Sequence, residues 1–253
     1  MVWFFLWLIL SALLLGFLGW TLLIFYRQKR AWRAFATRRK LRYRSDRIMA
    51  SPTINGTIEG RTISFFIGEH MAVDARSSRK MSAIEVHLLS KLPFEGGIAS
   101  GGMVPIVQGI RFKDEYRPEN PEWSKDYIAA GSSSLALQAY MTPERIAALT
   151  ALMRIKHGWV TFVFRGDMAL LRFDTPDPLD SEEKLSKMAK KMIEVAGLLE
   201  LKKGEEGVLK AEAQKTPVKK AESVAASVDL STPIALQLEE ENTSSPPEKN
   251  ENP

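Results

Sequence analysis

Residues 159–173 read WVTFVFRGDMALLRF, which places two apolar, aromatic-rich runs on either side of a short turn. Aromatic and β-branched residues favour strands, and the glycine in Arg165-Gly166-Asp167 suits a tight connection. The turn also accounts for the likeness of this tripeptide to a cell-adhesion motif. We therefore predict a β-hairpin with strands at 159–164 and 168–173, which indicates an antiparallel sheet.

Amphipathic helices are predicted on both sides of this hairpin. The first begins with Thr-Pro-Glu at 142–144, a good N-terminal signal, and is expected to stop at Gly158. The second runs from Ser181 to residue 201, with Asp180 and Glu183 in capping-box spacing. Its apolar residues recur with the helical period and are predicted to be buried, namely Leu185, Met188, Met192, Val195 and Leu199.

Five further strands are predicted before these helices, at 53–59, 61–69, 81–90, 103–113 and 134–140. In MSAIEVHLLS (81–90), apolar residues alternate with Glu85 and His87, which is the period of a half-buried antiparallel strand. His87 is expected on the wetter face as a surface histidine. Residues 48–201 therefore predict one α+β domain with a mostly antiparallel sheet and two helices.

The segment PFEGGIASGGMVPIVQG (93–109) is the most glycine-rich part of the chain. A P-loop needs lysine and a hydroxyl residue after its last glycine, but Met103 follows here, and the dinucleotide-binding spacing also fails. We predict a flexible loop between two strands.

The segment KDEYRPENPEWSKDY (113–127) holds five carboxylates, and paired carboxylates can serve acid–base or cation chemistry. Its two prolines argue against a helix or central strand that would fix their spacing. A solvated loop is the preferred interpretation. The alternative is a membrane-tethered enzyme that uses the acidic cluster 114–126 near the glycine-rich loop.

The chain has no cysteine and only three histidines, His70, His87 and His157. Disulfides, thiolate ligands and cysteine nucleophiles are therefore excluded, and the scattered histidines do not suggest a metal site. We predict no catalytic residue, no metal site and no cofactor. Whether the chain is an enzyme stays open.

Residues 2–26 contain no charged side chain and would form a helix of about 37 Å, enough to cross a hydrocarbon core of roughly 30 Å. A signal peptide is disfavoured because the run is long, lacks a basic start and is followed by arginines. We predict a retained transmembrane anchor at 1–26. Gly16 and Gly19 miss the G-x-x-x-G spacing, so no oligomeric state is predicted.

The net charge of +5 is unevenly distributed along the chain. Residues 27–47 hold ten Lys or Arg and one acid. Residues 48–201 hold 18 Lys or Arg and 19 acids, and residues 202–253 hold seven Lys or Arg and ten acids. Cations that follow an apolar span stay in the cytoplasm, so we expect a bacterial inner-membrane protein with its N-terminus outside and its domain inside.

The basic juxtamembrane segment 27–47 is predicted to face lipid head groups, with Trp32 and Phe35 as interfacial anchors. The membrane lipids would contact the chain through residues 2–47. Nucleic-acid binding by residues 27–47 is the disfavoured alternative, because a tethered arm meets lipid first and the domain is nearly neutral. The lipid-facing cations are Arg27, Lys29, Arg30, Arg33, Arg38, Arg39, Lys40, Arg42 and Arg44.

The tail 202–253 is rich in Lys, Glu, Ala, Ser and Pro and has no aromatic residue. It is predicted to be disordered because it cannot bury enough apolar surface to offset its ordering entropy. Its more apolar island, VDLSTPIALQL (228–238), is a candidate docking segment, with an inert tail as the alternative.

Residues 120–173 carry a Pro-x-aromatic segment, a predicted strand, a Thr-Pro helix start and a closing hairpin. This pattern resembles an uncharacterised family of bacterial membrane-anchored proteins known only as a domain of unknown function. Phe94-Glu95-Gly96 is similar to the F-x-G that precedes a strand in that family. The resemblance implies the architecture and supplies no catalytic residues.

These features together predict a single-pass membrane-anchored protein. Its cytoplasmic domain is expected to act as a binding or scaffolding module, with a protein partner at the domain or at the tail. The enzyme and the nucleic-acid binder described above stay as the alternatives from other classes.

Overall fold

The computed structural model describes residues 2–45, 50–71 and 78–215, apart from the side chain of Met71. The helices are α1 (Val2–Arg38), α2 (Val104–Gly109), α3 (Ser134–Tyr140), α4 (Pro143–Met153), α5 (Glu182–Leu199) and α6 (Glu205–Lys215). The strands are β1 (Arg42–Arg44), β2 (Thr53–Ile58), β3 (Arg61–Met71), β4 (Ser78–His87), β5 (Gly96–Ala99), β6 (Asp114–Glu115), β7 (Ile128–Gly131), β8 (Trp159–Arg165) and β9 (Met168–Thr175).

The strands form one sheet in the order β1-β2-β3-β4-β9-β8-β5-β7-β6, and each neighbouring pair is antiparallel. The predicted hairpin is the β8–β9 pair, and its turn residue Gly166 has a positive φ of 56°. An α+β fold with a long apolar N-terminal helix and an antiparallel sheet is thereby confirmed.

One face of the sheet, the helix-covered face, carries the main core. A row of paired residues crosses five strands on this face, and every member is almost fully buried: Ile54, Phe65, Ile84, Phe173 and Val160. Residues from α1, α3, α4, α5 and α6 belong to the same apolar cluster. Each large apolar side chain buried there contributes about 1.5–3 kcal/mol to folding.

The opposite face carries a smaller core around β5, closed by α2 and a 3-10 turn at Gly101–Met103. The prediction of a loop over 93–109 is wrong at β5, which pairs with both β7 and β8. A Cβ at residue 96 would collide with the ring of Phe164, so glycine is used there for close packing. The strand predicted at 103–113 is also wrong, because Pro105 lies at the start of α2.

Residues 134–140 form α3 rather than the predicted strand. The Ser133 hydroxyl accepts a hydrogen bond from the amide of Ala136, which caps the helix, and alanine and leucine favour helix. The strand predicted at 53–59 is present as β2, and Asn55-Gly56 lies inside it. The turn into β3 is made by Glu59 and Gly60, which both have positive φ.

The two predicted helices are present as α4 and α5, with shifted ends. Helix α4 ends at Met153 rather than at Gly158, and α5 is capped by Ser181, whose hydroxyl accepts from the amide of Lys184, rather than by Asp180. The prediction that the chain is disordered from residue 202 onwards is wrong for α6, whose Leu209 is buried in the main core. Residues 216–253, including the island 228–238, lie outside the described residues.

Candidate functional site

Helix α1 joins the apolar N-terminus to the domain without a break. Its most apolar 18-residue window has a mean hydropathy of 2.4 and no buried residue, so the helix is long and apolar enough to cross a membrane. Residues 2–26 make up this exposed part. The remaining residues of the helix, 27–38, belong to the domain.

The last three turns of α1 pack into the main core. Trp32 and Phe35 are fully buried, and both rings make edge contacts with Phe65, at centroid distances of 6.3 and 5.2 Å. Trp32 Nε1 donates to the carbonyl of Leu179 at 3.2 Å. The prediction that Trp32 and Phe35 are interfacial anchors is therefore wrong, because they are core residues of the domain. Their spacing, with Ala36, marked a packed helix face.

The end of α1 reverses the chain through a Schellman motif. The amide of Leu41 donates to the carbonyl of Ala36 at 2.8 Å, the amide of Lys40 donates to Thr37 at 3.2 Å, and Lys40 has φ 56°. The chain then runs back beside the helix as β1. There the Arg33 guanidinium lies 5.4 Å from the centre of the Tyr43 ring.

The nine cations predicted to face lipid are all at the surface, and all but the half-buried Lys29 are exposed. They differ in their position along α1. At a rise of 1.5 Å per residue, Arg30 lies about 6 Å and Arg38 about 18 Å along the axis from Tyr26. Arg38 Nη1 is also paired with Glu182 Oε1 at 2.7 Å. Their contact with lipid stays a prediction.

The second unusual region is the sheet face opposite the main core, where the β3–β4 hairpin folds over the sheet. His70 on β3 and Asp174 on β9 are separated by β4 and by four residues of register, yet His70 Nε2 lies 2.9 Å from Asp174 Oδ1. In a flat sheet two strand spacings alone amount to about 10 Å. The far end of the hairpin must therefore curl across β9, and His70 also reaches the Trp159 ring at 5.2 Å.

Beneath the folded hairpin lies a polar cluster of Glu85, Arg172, Asp174 and His70. Arg172 binds Asp174 through two hydrogen bonds of 2.7 and 2.9 Å, and its Nη1 donates to Glu85 Oε1 at 3.2 Å. The side chains of Arg172 and Asp174 are only 1% and 0% exposed. Phe66 covers the guanidinium, whose carbon lies 5.0 Å from the centre of the ring.

The carboxylates of this cluster have opposite pKa shifts. Burial alone would raise the pKa of Asp174, but the charge of Arg172 and the hydrogen bonds from Arg172 and His70 hold it below its ordinary value. Burial raises the pKa of Glu85, and its single, longer contact with Arg172 only partly opposes this. The cluster therefore favours an ionised Asp174 and disfavours an ionised Glu85.

A buried aspartate that orients a histidine is the geometry of a general base, which would leave Nδ1 to accept a proton. Within the described ranges, however, the His70 side chain hydrogen-bonds only to Asp174. The observed contacts therefore support a structural role for this cluster, which holds the hairpin over the sheet. Sequence reasoning missed it. The signal was Arg172 and Asp174 at alternating positions in an otherwise apolar strand.

The acidic segment 114–126 is not brought together into a site by its side-chain contacts. Asp114 in β6 accepts from the amide of Ser134 at 3.1 Å, and Glu122 pairs with Arg154 at 2.8 Å. Asp126 hydrogen-bonds to the nearby Ser124. In the described part of the chain, no group of three or more His, Asp or Glu side chains could hold a metal ion.

Comparison with known proteins gives no family. No family model matches the chain, and no curated protein is significantly similar to it. Among solved structures, it has a distant likeness to the crystal structure of the mycobacterial trehalose monomycolate transport factor A, TtfA. The match has a TM-score of 0.39 at 9% identity and covers 68% of this chain and 94% of that one. A likeness of this size supports no statement about function.

Proposed function

We propose that this chain is a single-pass protein of the bacterial inner membrane whose cytoplasmic domain is a binding or scaffolding module. Residues 2–26 cross the bilayer with the N-terminus outside. The observation that carries the proposal is the burial of Trp32 and Phe35, because it makes one continuous helix both the apolar span and a core element of the domain.

Orientation is argued from the charges beside the span. The flank that follows the span is strongly basic, with Arg27, Lys29, Arg30 and Arg33 within two turns of helix. Such a bias retains the basic side in the cytoplasm. The shared helix then holds the domain against the inner leaflet at a fixed height.

A binding module needs a surface for its partner. Among the described residues outside α1, three large apolar side chains are exposed, namely Leu89, Leu135 and Val208 at 60%, 43% and 57%. Two of them lie on α3 and α6, helices that pack together. This helix pair is our candidate surface for a protein partner.

Membrane topology is tested with reporter fusions to the C-terminus of the full chain in bacteria. A phosphatase that is active only outside the cytoplasm should stay inactive, and a β-galactosidase fusion should be active. The matched control adds lysines before residue 2 and replaces Arg27, Arg30 and Arg33 with Gln, which should exchange the two activities. An active phosphatase on the native chain would overturn the orientation. Recovery of the full chain in the soluble fraction would overturn the anchor.

The binding role is tested by photo-crosslinking in the cell. A photoreactive residue at Leu135 or Val208 should give one adduct of defined mass, and Val208→Glu should abolish capture from position 135. Lys187, which is exposed on α5, is the matched control position. Absence of any adduct from 135 and 208, or equal capture from 187, would contradict this surface.

A further inference from the structure

We infer that the chain binds anionic lipid head groups through a membrane-proximal group of cations, Arg27, Arg30 and Arg33. The distal group, Arg38, Arg39 and Lys40, takes no part. This inference rests on the proposed span at 2–26. It divides a segment whose cations look equivalent in the sequence.

Height above the membrane separates the two groups. For a helix near the bilayer normal, Arg27, Arg30 and Arg33 lie about 2, 6 and 10 Å along the axis from Tyr26, whereas Arg38 lies about 18 Å away. The Debye length at physiological salt is about 8 Å. Arg27 and Arg30 therefore lie within one Debye length of Tyr26 and Arg33 lies just beyond it, whereas Arg38 is more than two Debye lengths away. The Schellman motif fixes Arg39 and Lys40 at the far end of α1.

The direction of these side chains also favours lipid. The face of α1 that packs on the domain is formed by Gln28, Ala31, Trp32, Phe35 and Ala36. At 100° per residue, Arg30 projects from the opposite side, and Arg27 and Arg33 lie on the two flanks of the packed face. All three are exposed. Head groups can therefore reach all three side chains, and the Arg33 guanidinium also lies 5.4 Å from the centre of the Tyr43 ring on β1.

The chemistry of the group matches a phosphodiester. Arginine presents a planar fork of donors that binds two phosphate oxygens at once and is more weakly hydrated than lysine. Burial and, to a smaller extent, the charge of Arg33 lower the pKa of Lys29, so Arg33 acts on its neighbour as a like charge. A phosphate anion beside Arg30 and Arg33 would relieve this repulsion.

The distal group has a different environment. Arg38 is already paired with Glu182 at the start of α5. Arg39 and Lys40 follow in the turn, where the chain leaves the helix. The two groups each carry three positive charges, so they supply a matched pair of variants.

The test uses the full chain in phosphatidylcholine vesicles that contain a minor fraction of spin-labelled phosphatidylglycerol or spin-labelled phosphatidylcholine. The fraction of motionally restricted label reports lipid preference at the protein surface. The native chain should prefer phosphatidylglycerol, and R27Q/R30Q/R33Q should lose this preference. R38Q/R39Q/K40Q should retain it. Equal losses in both triple variants, or no preference in the native chain, would overturn the inference.

Two further arms separate other sources of anion. Inorganic phosphate should not displace the labelled lipid at matched ionic strength, and displacement would point to a free-phosphate site instead. A fluorescent oligonucleotide that binds the native chain more tightly than phosphatidylglycerol does, and is lost in R27Q/R30Q/R33Q, would assign the group to nucleic acid. Flotation with pure phosphatidylcholine vesicles reports the anchor itself, so its failure can be distinguished from failure of head-group binding.

Discussion

His70 Nε2 lies 2.9 Å from Asp174 Oδ1, although β4 stands between the two strands that carry these residues. The contact exists only because the β3–β4 hairpin curls over the sheet. The hairpin buries the Arg172–Asp174 pair, and a buried pair is costly to break because the remaining charge has no partner. The polar cluster therefore ties the path of the hairpin to the charge state of two buried carboxylates.

Asp174→Asn tests the charge state of this cluster. The folded pKa of Asp174 is below its ordinary value, so its stabilising effect is present above that value and is lost as pH falls through the folded pKa. We expect a loss of about 3–5 kcal/mol near neutral pH, which shrinks in acid. Urea unfolding of the detergent-solubilised full chain over a pH series measures it. A loss that stays constant with pH would contradict the assignment.

Gly68→Ala tests the close approach of the folded hairpin. A Cβ at residue 68 would lie 2.9 Å from Arg172 Nη2, whose side chain cannot move away because Asp174 and Glu85 both hold it. We expect a loss of about 1–3 kcal/mol. Gly109→Ala is the matched control, because a Cβ there meets no atom within 4 Å. The idea fails if both variants melt at the temperature of the native chain.

Trp32→Ala tests the joint between span and domain. The variant removes a fully buried ring and the hydrogen bond to Leu179, so we expect the domain to lose about 3–5 kcal/mol of stability. Thr37→Ala, at an exposed position of the same helix, should change little. Thermal unfolding of both variants gives the comparison. Native-like stability of Trp32→Ala would mean that α1 and the domain fold independently.

Arg145→Met tests how α6 is held. Arg145 donates to the carbonyls of Tyr140, Leu198 and Glu200 at 3.0, 3.2 and 2.7 Å, and to the Glu205 carboxylate at 2.6 Å. We expect a loss of about 3–5 kcal/mol because the Tyr140 carbonyl would remain buried and the other acceptors partly buried, all without this donor.

The readout for Arg145→Met is hydrogen exchange, which should become faster across residues 205–215. Arg154→Met removes an exposed pair with Glu122 and should cost at most about 1 kcal/mol. Unchanged protection of α6 in Arg145→Met would show that packing through Leu209 suffices to hold it.

Much of the architecture could be predicted because local signals agree with the fold. The hairpin at 159–173 and the capped helices α4 and α5 each have one dominant period. The alternation in 81–90 correctly predicts a strand, β4, but the wetter face expected at Glu85 is wrong, because Glu85 is buried in the polar cluster. The predictions were wrong where the sequence fits both the two-residue period of a strand and the 3.6-residue period of a helix. Residues 134–140 alternate like a strand, but the Ser133 cap and their helix propensity decide for α3.

The candidate sites were harder to predict, because they depend on contacts far apart in the chain. Nothing local to His70 indicates that it meets Asp174, 104 residues later. Trp32 and Phe35 lie among cations, and whether such a helix face meets lipid or protein depends on what the rest of the chain places beside it. In the same way, contacts with distant parts of the chain distinguish Arg38, which pairs with Glu182, from Arg33, which lies over the Tyr43 ring.

Because α1 is unbroken, the number of residues between its apolar part and its buried part fixes the rotation of the domain about the helix axis. One residue inserted after Tyr26 would turn the domain by about 100° about the helix axis and shift it by about 1.5 Å. Such a change leaves every contact within the domain intact. It alters only the direction, about the axis of α1, in which helices α3 and α6 face. In the proposed membrane orientation, the number of residues between Tyr26 and Trp32 therefore determines which neighbouring proteins in the same bilayer this helix pair would face.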